Sequence, residues 1–262
     1  NTLLLIVAGM ILISSLSAGG KKEESSPAAF KEEVFWTAEG YDYDALVKAA
    51  QAEGSLVARW QSGRAPQAAE VFEKKYGINL KHMHRMEQTH GNEVKIVTKN
   101  TPKVIKNCDA IITNEPNRAL MVMVADCIPI LLKDQKKGVI AAVHAGRNST
   151  FLKITSKTVQ LMQIHFGCKP CDIEATLGPS IQKCCYEVDV KLANIVKTSF
   201  SKEFESNRYI DLQGINTMQL QQLGVKNIYQ IPICTKCSKQ NYFSYRLDKS
   251  CGRFAGIISL ES

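Results

Sequence analysis

Hydrophobic residues along this chain fall into short blocks whose spacing changes with position. Leu120–Ala125 (LMVMVA) and Ile128–Leu132 are apolar runs broken only by Asp126-Cys127, and they predict a strand, a kink and a continuing strand. Gly138–Val143 predicts another buried strand, ending at His144-Ala145-Gly146. Shorter runs predict strands at Val94–Val97, Ile173–Leu177, Asn227–Ile231 and Phe254–Leu260. Elsewhere the apolar spacing lengthens to that of a helix. Ser149 or Thr150 can cap a helix that runs to Phe166 and stops at Gly167. Val188, Leu192, Ile195 and Val196 form one helical stripe; Leu212, Ile215, Leu220 and Leu223 form another, closed by Gly224. Strands and helices alternate irregularly, which predicts an α+β or mixed α/β fold rather than a doubly wound parallel sheet.

The first 80 residues have a different texture. Leu3 to Leu16 is an almost continuous apolar run followed by Ser17-Ala18-Gly19-Gly20. That is the length and ending of a signal-peptide core, too short for a stable membrane span. Residues 21–29 are charged and small and read as a linker. Residues 30–80 predict a helix at Tyr43–Ala52, a strand around Leu56–Trp60 and a helix before Tyr76-Gly77. This order resembles the start of bacterial periplasmic solute-binding proteins. Such proteins close two lobes around a ligand, so a fragment of this size is not expected to bind a solute alone. The expected organisation is a leader and linker over 1–29, this fragment over 30–80, and a catalytic domain over 81–262.

Charge changes the picture modestly. The net charge is +8, with residues 1–80 at −2 and residues 81–262 at +10. The basic part suits phosphate or another anionic ligand, or is simply a solvated lysine-rich surface. No basic run is interleaved with aromatics, which argues against nucleic acid as a partner. The nine cysteines all lie between Cys108 and Cys251. An odd number in a chain this long does not describe a small secreted disulfide scaffold, and fits a reduced compartment with some thiols serving as ligands.

Candidate chemistry sits in three segments: Thr89-His90-Gly91-Asn92, Ala125-Asp126-Cys127 and Val143-His144-Ala145-Gly146. In two of them an apolar strand ends on a side chain able to bind metal. Imidazole and thiolate together suit zinc or copper, and three protein ligands leave a fourth position for water or substrate. Spacing alone leaves the blander alternative ahead, two satisfied histidines and a buried thiol. His82-x-His84 forms a competing pair, expected on an exposed strand. Cys168-x-x-Cys171 with Cys234-x-x-Cys237 could make a structural zinc site, although their separation far exceeds that of a compact zinc ribbon. Cys184-Cys185 is a vicinal pair, which rarely forms a disulfide with itself. Arg147, Arg246 and Arg253 are candidates for holding phosphate, since guanidinium recognises it bidentately; surface ion pairs are the alternative.

At these residues the chain from about 81 to 262 resembles the bacterial YfiH-type laccase-domain family. The resemblance is carried by Gln88-Thr89-His90-Gly91-Asn92, Asp109-Ala110-Ile111-Ile112-Thr113-Asn114, Ala125-Asp126-Cys127-Ile128-Pro129-Ile130, His144-Ala145-Gly146, and Gly178-Pro179-Ser180-Ile181 leading into Cys184-Cys185-Tyr186-Glu187-Val188. Asp211-Leu212, Cys234-Thr235, Phe243-Ser244-Tyr245-Arg246 and Gly252-Arg253 follow in order. It implies a four-layer α/β/β/α mixed-sheet fold and a metal, zinc or alternatively copper, held by His90, Cys127 and His144. It implies phosphorolysis of purine nucleosides (adenosine, inosine, methylthioadenosine) with some adenosine deamination. The alternative it implies is copper-dependent oxidation of phenols by oxygen; a third, non-enzymatic reading is a metal- or solute-binding module. The cytoplasm is implied by resemblance, and export if the apolar leader is native. Two departures stand out. The family continues His-Ala-Gly with Trp-Arg-Gly where this chain has Arg147-Asn148-Ser149, and residues 1–80 lack the family's Thr-Thr-Arg and Ser-Leu-Asn segments.

Overall fold

A computed structural model describes residues 56–60, 82–238 and 242–260. The leader, the linker and the two helices expected within residues 30–80 lie outside the described residues. In chain order the elements are β1 (Leu56–Trp60), β2 (Met83–Met86), β3 (Val94–Ile96), β4 (Val104–Ile105), β5 (Ala110–Thr113), β6 (Arg118–Val124), β7 (Ile128–Asp134) and β8 (Val139–Ala145). Then come helices α1 (Arg147–Phe151) and α2 (Ile154–Phe166), β9 (Ile173–Leu177), α3 (Val190–Ser199), β10 (Glu205–Ser206), β11 (Tyr209–Ile210), α4 (Leu212–Gln222), β12 (Asn227–Gln230) and β13 (Arg253–Leu260).

Two mixed sheets carry the fold. One has the order β12-β9-β7-β8-β5-β3, the other β1-β13-β6-β2-β4; β10 and β11 form a small separate ribbon. In the six-stranded sheet the β9-β7-β8-β5 core is antiparallel and the two edge strands are parallel to their neighbours. Strands β7 and β8 are buried at every position, because this sheet is covered on both faces. The two-residue side-chain period sorts their residues. Ile130, Leu132 and Val143 pack with Ile154, Val159 and Met162 of α2 and with α4, whereas Leu131, Ile140 and Ala142 pack with Leu120, Val122 and Phe254 of the second sheet. Each such fully buried Val, Leu, Ile, Met or Phe side chain stabilises the fold by roughly 1.5–3 kcal/mol. The described residues thus form helix, sheet and sheet layers of a mixed α/β fold. No helix among them is long and apolar enough to cross a membrane.

Several expectations from the sequence change. The two apolar runs around Asp126-Cys127 do not form one kinked strand. Strand β6 belongs to one sheet and β7 to the other, and the chain crosses between them at residues 125–127. Asp126 makes the turn with a left-handed φ of 83°. The helix expected from Ser149 to Phe166 is two helices, broken where Lys153 adopts φ 58°, and Gly146 rather than a hydroxyl residue stands at the first N-cap. The Gly167 stop holds, with φ 67° at the C-cap. His84 is buried on β2, with Nδ1 3.1 Å from the Pro102 carbonyl, rather than exposed. Strand β1 pairs antiparallel with β13, so part of the 30–80 stretch forms the edge of a sheet.

Candidate metal centre and cavity

The sheet-to-sheet crossing after β6 sets Cys127 at the mouth between the two sheets. His144 lies on β8, inside the strand and directly opposite Pro129 of β7. His90 comes from the loop before β3 and holds a left-handed φ of 59°. The ligand atoms of all three residues lie within 4.8 Å of one another, although the residues are far apart in sequence.

Asp109 organises this loop. The carboxylate is fully buried just before β5. One oxygen faces His144 Nδ1 at 2.8 Å and accepts from the His90 backbone N–H at 2.9 Å. The other accepts from Gly91 N–H at 2.8 Å and from the Thr89 hydroxyl at 2.9 Å. Burial would raise the carboxyl pKa, but these donors and the facing imidazole hold it well below the usual carboxylate range. With Nδ1 engaged by Asp109, His144 presents Nε2 to the cluster, the carboxylate–histidine arrangement that orients and strengthens a metal ligand.

Two further residues fix the approach. Asn148 on α1 donates to the His90 carbonyl at 2.6 Å. Gly146 leaves room: a Cβ there would stand 3.0 Å from His90 Cδ2 and 3.1 Å from Cys127 Sγ. Helix α1 is itself pinned from below, since Asn216 of α4 bonds both Thr150 and Thr155 in a buried network.

The donor set fits a tetrahedral ion. With bonds near 2.0–2.1 Å to nitrogen and 2.3 Å to sulfur, such an ion separates its N and S donors by about 3.6 Å. Cys127 Sγ and His90 Nε2 are 3.8 Å apart. Burial alone would push the Cys127 thiol up. The neighbouring His144 and His90 rings more than reverse this and bring it down to about 6, favouring the thiolate that a metal requires. Burial likewise lowers His144, but Asp109 and the Cys127 thiolate raise it to about 9.

The cluster opens into a cavity of about 770 Å³ whose walls include Arg147, Arg246 and Arg253. All three candidate phosphate-binding arginines are therefore brought to the same space as the candidate metal ligands. The Arg246 guanidinium stacks over the Tyr186 ring at 5.1 Å and donates to the Glu187 carbonyl at 2.8 Å. Arg253 lies over Tyr245 at 5.7 Å. Asp126 ties this wall to the metal side, accepting from the Arg246 backbone N–H and the Thr235 hydroxyl, each at 2.7 Å.

Reasoning from sequence missed Asp109, Asp126 and Tyr186 as functional residues. An acidic residue abutting a buried apolar strand was the available signal for Asp109. The long separation that argued against a site joining Cys168 and Cys171 to Cys234 and Cys237 is matched by the structure, in which Cys184 and Cys185 gather with Cys234 and Cys237 instead. Cys168 packs in the core between α2 and the six-stranded sheet.

The sequence profile of the family described as multi-copper polyphenol oxidoreductase laccase matches residues 63–261. The chain belongs to that family. The laccase-type match begins inside the 30–80 stretch, ahead of the expected boundary at 81. Among curated relatives, a purine nucleoside phosphorylase of Streptomyces coelicolor is 33% identical over 73% of this chain and 81% of its own. One of Corynebacterium glutamicum is 35% identical over 70% and 76%. Among solved structures, the hypothetical protein YfiH of Bacillus licheniformis superposes with TM-score 0.70 at 25% identity, covering 74% of this chain and 80% of that one. YlmD of Geobacillus stearothermophilus gives TM-score 0.68 at 27% identity, covering 74% and 79%. This laccase-type protein is thus an enzyme with the mixed-sheet fold of those structures.

Proposed function

We propose that this enzyme is a metal-dependent purine nucleoside phosphorylase acting on adenosine, inosine or methylthioadenosine. The observation that carries the reading is the convergence of His90, Cys127 and His144 with three arginines in one cavity. The volume suits a nucleoside and phosphate, lying within the usual range of about 300–1,000 Å³ for ligand sites. The names of the two curated relatives agree with it.

The chain's own residues supply binding and orientation. Arg147, Arg246 and Arg253 hold phosphate, with the Tyr186 ring beneath the Arg246 guanidinium helping to position it. Phosphate oxygen attacks the anomeric carbon as the glycosidic C–N bond breaks, positive charge developing on the sugar as in glycoside cleavage. The proton that hydrogen phosphate gives up on bonding to the sugar is the one that balances the departing purine, and ribose 1-phosphate remains (5-methylthioribose 1-phosphate from methylthioadenosine). A zinc ion held by His90, Cys127 and His144 would supply Lewis-acid polarisation of a ligand in its fourth position. Adenosine deamination in the same cavity is the accompanying proposed activity. It would use a constellation other than the usual His-x-Glu with Pro-Cys-x-x-Cys, which the chain lacks.

The family's description favours a second reading, copper-dependent oxidation of phenols by oxygen. A thiolate with two imidazoles also accepts copper. However, the chain has five histidines, and only His90 and His144 line the cavity, few for a cluster of several coppers. The deciding assay is inosine with phosphate, monitored for hypoxanthine and ribose 1-phosphate, alongside metal analysis. No product from the wild type, or undiminished product from Cys127→Ala, overturns the phosphorylase reading. Several coppers per chain with oxygen uptake on phenols would install the second.

A further inference from the structure

A second group of metal-competent side chains lies behind the cavity wall. The sulfurs of Cys184, Cys185, Cys234 and Cys237 all lie within 4.8 Å of one another. Cys184 and Cys237 Sγ are 3.6 Å apart, and all four residues are free thiols. A disulfide places its sulfurs about 2.0 Å apart. A tetrahedral ion with four sulfurs at about 2.3 Å places them about 3.8 Å apart. The observed spacing is that of ligands around a common centre.

The backbone is arranged for the same purpose. Cys234 forms a parallel bridge with Ser180, and the chain then turns tightly, Ser238 N–H donating to the Cys234 carbonyl at 3.0 Å. On the other side a turn at residues 183–185, closed by Cys185 and Tyr186 N–H groups on the Gln182 carbonyl, presents the vicinal pair. Three of the four sulfur-bearing residues are partly or fully exposed, so an ion has a route in.

We propose that Cys184, Cys185, Cys234 and Cys237 form a second metal site, a tetrathiolate that binds one zinc ion and fastens the cavity wall. The consequence for the cavity follows from the next residues in each segment. Tyr186 and Glu187, just past the vicinal pair, hold the Arg246 guanidinium. Thr235, just past Cys234, donates to Asp126 beside Cys127. One ion would clamp both segments and so set the distance between the arginine wall and the His90–Cys127–His144 cluster. The site has no open coordination position and takes no part in chemistry.

The experiment is metal quantification on full-length protein purified under reducing conditions, for the wild type, His90→Ala/Cys127→Ala, and Cys184→Ser/Cys237→Ser. The His90→Ala/Cys127→Ala protein should retain one tightly held zinc. After cobalt exchange it should show the intense sulfur-to-cobalt absorption and tetrahedral d–d bands of a tetrathiolate site. The Cys184→Ser/Cys237→Ser protein should lose that signature. Should the cavity hold no metal at all, the wild type would still carry this zinc, so the two readings fail separately. A His90→Ala/Cys127→Ala protein that is folded by circular dichroism yet zinc-free and spectroscopically silent with cobalt overturns the proposal. So does mass spectrometry showing the four cysteines paired as disulfides in the reduced preparation.

Discussion

Asp109 and His144 face each other across adjacent antiparallel strands, Oδ1 and Nδ1 2.8 Å apart, with both side chains buried. The pair sits one step past the Ala110–Val143 register of β5 and β8, and the His144 N–H also donates to the Asp109 carbonyl at 2.7 Å. Sheet geometry therefore sets the ring before any metal arrives. The same carboxylate gathers the backbone of residues 89–91, so one side chain positions two of the three candidate ligands.

Asp109→Asn should damage both stability and metal retention. An amide turns donors toward a site that needs only acceptors. Breaking a buried charged pair costs about 3–5 kcal/mol, and loss of an orienting partner typically weakens metal binding by about 10–100-fold. Because the folded carboxyl titrates below its unfolded value, its stabilisation is fully present above about pH 4 and fades as pH falls further. Denaturant unfolding of both metal-stripped proteins should show the gap narrowing in acid, and narrowing again as pH rises from about 6.5 through about 9, where His144 loses the proton that Asp109 stabilises. An unchanged metal affinity at neutral pH would contradict the assigned role of Asp109.

Gly146→Ala tests the close approach. The added methyl meets His90 and Cys127 at 3.0–3.1 Å, closer than most packed atoms come, so these two ligands must give way by a few tenths of an ångström. The backbone φ of −75° imposes no strain on alanine, so the fold should survive with little change in unfolding midpoint. Metal content and activity should fall sharply. Normal metal content would mean that the ligands move apart at little cost.

Cys127 should be reactive at unusually low pH in metal-stripped protein. Its thiol is held at about 6, against the ordinary value near 8.5. Iodoacetamide modification, followed on the Cys127 peptide by mass spectrometry, should be near its plateau at pH 7 and fall about tenfold per unit well below pH 6. Restoring zinc should protect it. A midpoint near 8.5 would show that the histidines do not stabilise the thiolate.

Arg246→Ala should raise the KM for phosphate far more than that for nucleoside. Charge-assisted hydrogen bonds contribute about 1.5–3 kcal/mol, which corresponds to roughly 10–100-fold. Lysine should rescue poorly, since it can neither stack on Tyr186 nor bond the Glu187 carbonyl and phosphate with one planar group. A variant with unaltered phosphate kinetics would remove Arg246 from the anion site.

Much of the local structure was legible along the chain. Ile173–Leu177 is a strand at the predicted bounds, and Gly167 ends α2 in the left-handed conformation that glycine makes easy. The helix break at Lys153 was not legible, because no proline or glycine marks it; Asn216, distant in the chain, bonds Thr150 on one side of the break and Thr155 on the other. The continuity expected across Asp126-Cys127 failed for a similar reason. Two apolar runs read alike whether they share a sheet or face each other across a core.

By itself the sequence determined which segments alternate as strands and helices, and which side chains could bind a metal, since periodicity and ligand chemistry are local properties. Tertiary structure decided the partners. It placed β6 and β7 in opposite sheets, buried Asp109 behind His144, and joined Cys234 and Cys237 to Cys184 and Cys185 rather than to Cys168 and Cys171. Those choices depend on contacts between residues far apart in the chain, fixed by how apolar faces pack together, and spacing within a segment carries no record of them.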